Sequence, residues 1–205
     1  MPRMTDDMTT TGQDDAARQR AERLVEHARA EAVTWIRTGL YTRGEVAQRV
    51  RDLVHDDAVL DRAAAEAVVA PLWEEWLAEQ RTWPETTDND RLGRAFGRLE
   101  RSGVVAVGNF SCCSRCGFSE IGGLRRPDSR GFVFFHQQDT ERAAAGHGLY
   151  LRYGAFTRED AERRETAAIG REVVAALQAE GLSPEWDGSP STVITVPMRW
   201  QLRLR

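Results

Sequence analysis

All three cysteines of this chain stand within five positions, Cys112, Cys113 and Cys116, in the stretch FSCCSRCGFSE (Phe110–Glu120). Cys113-Ser-Arg-Cys116 followed by Gly117 is a CxxCG spacing, in which two thiolates reach one metal ion and the glycine permits a tight turn. Zinc prefers four ligands, so two more are needed beyond this knuckle. Cys112 is a third candidate, and His136 or His147 is a fourth. The expected ligand set is Cys112, Cys113, Cys116 and His136, holding zinc as a structural ion.

Other chemistries fit the same residues. A CxxC pair after a strand and before a helix is the placement used in dithiol exchange, where the first thiol's pKa is lowered. Alternatively Cys112 or Cys113 is a nucleophile, with His136 as base and Asp139 orienting it. The plainest reading is three small buried side chains, since free cysteine is among the most buried residue types. The crowding of three into five positions speaks against that one.

The second polar motif is HQQDT, His136–Thr140, at the end of an apolar run. Its His, amides and carboxylate either form a polar site with the cysteines or turn the chain. In the second case Asp139 or Thr140 is the N-cap of the ERAAAG segment. His147 lies between glycines and reads as a loop residue, while His27 and His55 fall on polar helix faces.

The elements that must position these groups follow from periodicity. Residues 1–13 have none and read as a disordered leader. Leu24, Ala28, Ala32, Trp35 and Ile36 recur at helical spacing, and Gly39 ends that helix. Thr42 and Glu45 form a capping box ahead of Val46, Val50, Leu53 and Val54. Asp56 and Asp57 are candidate caps for a third helix, which Pro71 should kink or break near Val69–Ala70. After the polar run ETTDND, Leu92, Phe96 and Leu99 mark one more helix. Then VVAVGNF, GFVFFHQ, GLYLRYGAF and TVITVPM read as strands, with a helix carrying Ile169, Val173, Val174 and Leu177 before the last. LSPEWDG is a candidate short strand.

The expected class is therefore α+β. A helical region (14–85) precedes an α+β domain (86–205) built on a small, mostly antiparallel sheet with one or two packed helices.

Composition narrows the function classes. The chain has 205 residues, 41% hydrophobic and 29% charged, as in ordinary globular proteins. Its basic side chains are all Arg, the usage of a GC-rich bacterial genome. Residues 1–100 carry 20 acids against 14 Arg, and residues 101–205 carry 12 against 14. Neither half is the basic surface of a general nucleic-acid binder, so nucleic acid is an unfavoured partner even though TRGEVAQRVRDL could open a helix-turn-helix. Trp73, Trp76 and Trp83 suit a core, or a partner-binding surface if exposed. The start has no apolar signal core, no run spans a bilayer, and three cysteines cannot all pair within one chain. A cytoplasmic protein is expected.

Taken together, TTDNDRLGRAF, GVVAVGNFSCCSRCGFSEIG, GFVFFHQQDTERA, GLYLRYGAF and IGREVVAALQAEGLSPEWDGSPSTVITV resemble, in the same order, a family of bacterial proteins known only as a domain of unknown function. The combination of CCxxCG with HQQDT carries the resemblance, over about residues 86–200. It implies the domain's extent and no activity. The expectation is a non-enzymatic intracellular module with a zinc-organised Cys/His site. The alternatives are a thiol enzyme or redox protein using Cys112 or Cys113 with His136, and a helical partner-binding protein.

Overall fold

The computed structural model describes residues 7–54, 60–156 and 162–204 of the chain. It divides into two compact units, Met1–Arg81 with Leu204–Arg205, and Thr82–Arg203. No helix among the described residues is long and apolar enough to cross a membrane.

The first unit is helical: α1 (Asp7–Thr38), α2 (Arg43–Val54) and α3 (Arg62–Gln80). Helix α1 begins ahead of the first apolar repeat, and Gly39 ends it at φ 72°, where a side chain would be strained. The Thr42–Glu45 capping box forms as expected: Glu45 Oε2 accepts from Thr42 N at 2.7 Å, and Thr42 Oγ1 accepts from Glu45 N at 3.3 Å. Ala28, Ala32, Ile36, Val46, Val50, Val69 and Trp73 are buried in this unit's core. Trp76 is half-buried against it.

Two local expectations need correction. Helix α3 runs unbroken through Pro71, because one lost ladder bond is outweighed by the burial of Val69, Leu72 and Trp73 on its apolar face. Its N-cap is Asp61, whose carboxylate accepts from Ala64 N at 2.7 Å. The expected caps Asp56 and Asp57 lie outside the described residues, as does His55.

The second unit carries α4 (Asp88–Arg101), β1 (Val104–Val107), α5 (Ser114–Glu120), β2 (Gly131–Phe134), α6 (Gln137–Ala144), β3 (Leu149–Ala155), α7 (Glu162–Ala179) and β4 (Ile194–Val196). The strands form one sheet in order β1-β2-β3-β4. β1 and β2 run parallel, and the other two pairings are antiparallel. The sheet is thus mixed and mostly antiparallel, and the class is α+β. LSPEWDG contributes a single bridge, Glu185 to Thr195.

Strand alternation splits the apolar side chains between two faces. Val104, Val133, Leu151 and Tyr153 join Leu92, Phe96 and Leu99 of α4 and Ile169, Val173 and Leu177 of α7 in the main core. Val105, Phe132 and Phe134 turn the other way, where Ile121 covers them. Phe118 of α5 packs edge-on against the Phe132 and Phe134 rings. Helix α4 starts at a full capping box, Thr87 with Asp90, a device worth about 1 kcal/mol.

Candidate functional site

Because β1 and β2 are parallel, the loops leaving their carboxyl ends emerge side by side. In open sheets this is a common place for a ligand site. One loop is Gly108–Cys113 and the other runs from Phe135 into α6. Main-chain bonds continue the pairing past the strands: Phe110 N to Phe135 O at 2.8 Å, and Gln137 N to Ser111 O at 3.2 Å. The two sequence motifs therefore face each other.

The cysteine loop is held in an uncommon conformation. Asn109 and Ser111 both have positive φ, 51° and 63°, a region that side chains other than glycine's rarely adopt. Thr140, fully buried, donates its hydroxyl to Asn109 Oδ1 at 3.0 Å. That bond and the Gln137–Ser111 bond fix the two strained residues.

Beyond them Cys113 is the N-cap of α5. Cys116 sits three residues on, so both thiols fall on one side of the first turn. With Cys112 they bring three sulfurs within 4.8 Å of one another. All three cysteines are free; Cys112 is exposed and the others are half-buried. The Cys113 sulfur completes no cap hydrogen bond. Even so, the Cys116 amide facing it, followed by the Cys116 thiol, holds its pKa below the ordinary thiol value. Cys116 moves the other way, up to about 11, because its thiol already donates toward the sulfurs of Cys112 and Cys113 and a further negative charge beside them is opposed.

His136, 3% exposed, is the N-cap of α6, which corrects the assignment of that cap to Asp139 or Thr140. Asp139 is instead the third residue of the helix, and its Oδ2 accepts from His136 N at 3.0 Å. His136 is not one of the three-sulfur group. Its Nε2 stands 3.1 Å from Ser114 Oγ, and its Nδ1 stands 3.1 Å from Asp139 Oδ2. Arg152, on β3 directly opposite Phe134, donates to the same Oδ2 at 2.5 Å.

Nδ1 accepts from Asp139 N at 3.3 Å, an amide that also bonds His136 O at 3.0 Å. Burial is the main cause holding the His136 pKa below its ordinary value; the Arg152 charge adds to it and Asp139 opposes. The ring is neutral at neutral pH.

Ser114, Asn109 and Arg152 are the site residues that sequence reading did not single out. Ser114 is a variable position inside CSRC and gives no signal. Arg152 did leave one, as a charge in the otherwise apolar run LYLRYGAF. His147 and His27 are exposed.

No curated protein and no solved structure matches the chain. A family model does match, over residues 21–204. The chain belongs to the family described as Domain of unknown function (DUF6891).

Proposed function

We propose that the second unit is a metal-binding module in which Cys112, Cys113 and Cys116 hold a thiophilic ion, zinc foremost. The observation that carries this reading is the approach of three sulfurs within 4.8 Å. Tetrahedral zinc with bonds of about 2.3 Å needs sulfurs ~3.8 Å apart, so small side-chain rotations close the site. Such an ion ties the loop after β1 to the first turn of α5. The fourth position falls to water or to a ligand from a partner. For His136 to fill it, the ring would have to release Ser114.

The test is elemental analysis of the chain purified without a metal-affinity tag under reducing conditions. Cobalt substitution follows, with thiolate-to-cobalt charge transfer as the readout. One ion per chain, lost when Cys113 and Cys116 are both changed to Ser, is the expected result. A chain that stays metal-poor after reconstitution with zinc overturns the reading.

The opposed pKa directions of Cys113 and Cys116 favour a second reading, thiol–disulfide exchange. There Cys113 attacks a disulfide and Cys116 resolves the mixed disulfide. Reduction of a small-molecule disulfide that is abolished by Cys113→Ser tests it.

A further inference from the structure

We propose that Cys112, Cys113 and Cys116 form a binding site for uncharged trivalent metalloid hydroxides, arsenous acid first among them, with one sulfur bond from each cysteine. The inference rests on the convergence of sulfurs behind the metal-binding reading and names a further ligand class for it.

The number and placement of the donors point to this ligand. The three sulfurs lie within 4.8 Å of one another, and no His, Asp or Glu joins them among the described residues. The ring of His136 is turned to other partners, with Nε2 3.1 Å from Ser114 Oγ and Nδ1 accepting from the Asp139 amide. A tetrahedral ion therefore finds three protein ligands here, one short of a closed structural site. Trivalent arsenic needs only three. It is soft, as thiolate sulfur is, and it bonds pyramidally, with its lone pair on the side away from the donors. Such a centre sits on a triangle of sulfurs and does not have to be enclosed by ligands. The cluster has that form, at the surface: Cys112 is exposed, and Cys113 and Cys116 are half-buried.

All three donors come from one five-residue segment. Cys116 already directs its thiol at the other two sulfurs. The loop that carries Cys112 is fixed by Thr140 on Asn109 and by the Gln137 amide on Ser111. Little chain is left to order when the ligand binds, which favours affinity. Charge raises no barrier either. Arsenous acid is neutral at neutral pH, whereas a phosphate-like oxyanion meets a chain of net charge −4.

Binding is a condensation with no change of oxidation state. Each sulfur forms a bond to arsenic as one As–O bond breaks, and the thiol proton leaves with that hydroxide as water. One arsenous acid and three thiols thus give one trithiolate and three waters, and arsenic stays trivalent. No oxidant or reductant is needed.

The experiment titrates the reduced full chain with sodium arsenite. The intact mass should show one arsenic gained and three hydrogens lost, and a thiol-specific reagent should then find no free thiol. X-ray absorption at the arsenic edge should show three sulfur neighbours and no oxygen. Cys112→Ser, Cys113→Ser and Cys116→Ser should each lose only two hydrogens on binding and hold arsenic more weakly. A chain loaded with zinc should release it to a chelating dye when arsenite is added. A wild-type adduct that loses only two hydrogens or keeps an As–O bond overturns the proposal, as does zinc retained against excess arsenite. Zinc binding with no arsenic adduct sinks this proposal and leaves the zinc reading standing; an arsenic adduct on a chain that takes up no zinc does the reverse. The wild-type stoichiometry decides the matter even where a variant fails to fold.

Discussion

The ring of Phe134 occupies the space that a side chain on Gly117 would need: a Cβ there would lie 2.4 Å from Cε2 of the ring. Phe134 is fully buried and Gly117 is the fourth residue of α5. The glycine after the CxxC pair thus lets the helix bearing Ser114 and Cys116 settle onto the sheet. Gly117→Ala should lower stability by about 1–3 kcal/mol, the usual cost of overpacking a close-fitting contact. Urea denaturation measures this. Because α5 must lift, metal affinity should fall in the same variant, read by competition with a chelator.

Much of this arrangement was legible in advance, and for a physical reason. Strand and helix periodicities report burial, so VVAVGNF, GFVFFHQ and LYLRYGAF announced their strands, and Ile169 through Leu177 announced α7. The meeting of CCxxCG with HQQDT was only suspected, because it depends on β1 and β2 being parallel, which local pattern does not encode. Pro71 was misread because the propensity cost is local while the burial that overrides it is not. Ser114 was invisible for a related reason. Its meaning comes from a ring 22 positions away that reaches it only after the sheet has formed.

The two thiols of the CxxC pair should differ in reactivity in the metal-free, reduced chain. Alkylation requires thiolate. Cys113 has its pKa lowered by the Cys116 amide, whereas Cys116 is held at about 11 by its two sulfur neighbours. Limited iodoacetamide treatment near neutral pH, followed by peptide mapping, should find Cys113 modified well before Cys116. Equal rates would show that the three sulfurs do not interact in solution.

Single substitutions should separate a three-thiolate ligand set from one that includes His136. Cys112→Ser, Cys113→Ser and Cys116→Ser each remove a ligand and should weaken zinc binding by more than about 10-fold. This exceeds the lower end of what loss of an outer-shell partner costs. His136→Asn should leave the intensity of thiolate-to-cobalt charge transfer unchanged, since the number of sulfurs bound is the same. A drop in d–d intensity or energy in that variant would identify the ring as the fourth ligand.

Acid should unfold this domain in two stages. Glu180 accepts from Arg98 Nη2 at 2.8 Å and Arg94 Nε at 2.7 Å, tying the end of α7 to α4. These bonds, Arg98 first, hold its pKa below the ordinary 4.5. Glu172 is lowered likewise by its hydrogen bond to Arg130. A carboxylate with a depressed folded pKa stabilises the fold above its unfolded value, and the benefit is lost as pH falls through the folded one. His136 follows the same sign, since burial depresses it below 6.5 and the unfolded chain takes up the proton more readily. Urea midpoints should therefore start to decline as pH drops below about 6.5, and more steeply below about 4.5. Glu180→Gln should blunt the second decline and leave the first in place. His136→Asn should do the reverse, so midpoints of that variant that still fall between pH 6.5 and 5 would assign the first stage to some other group.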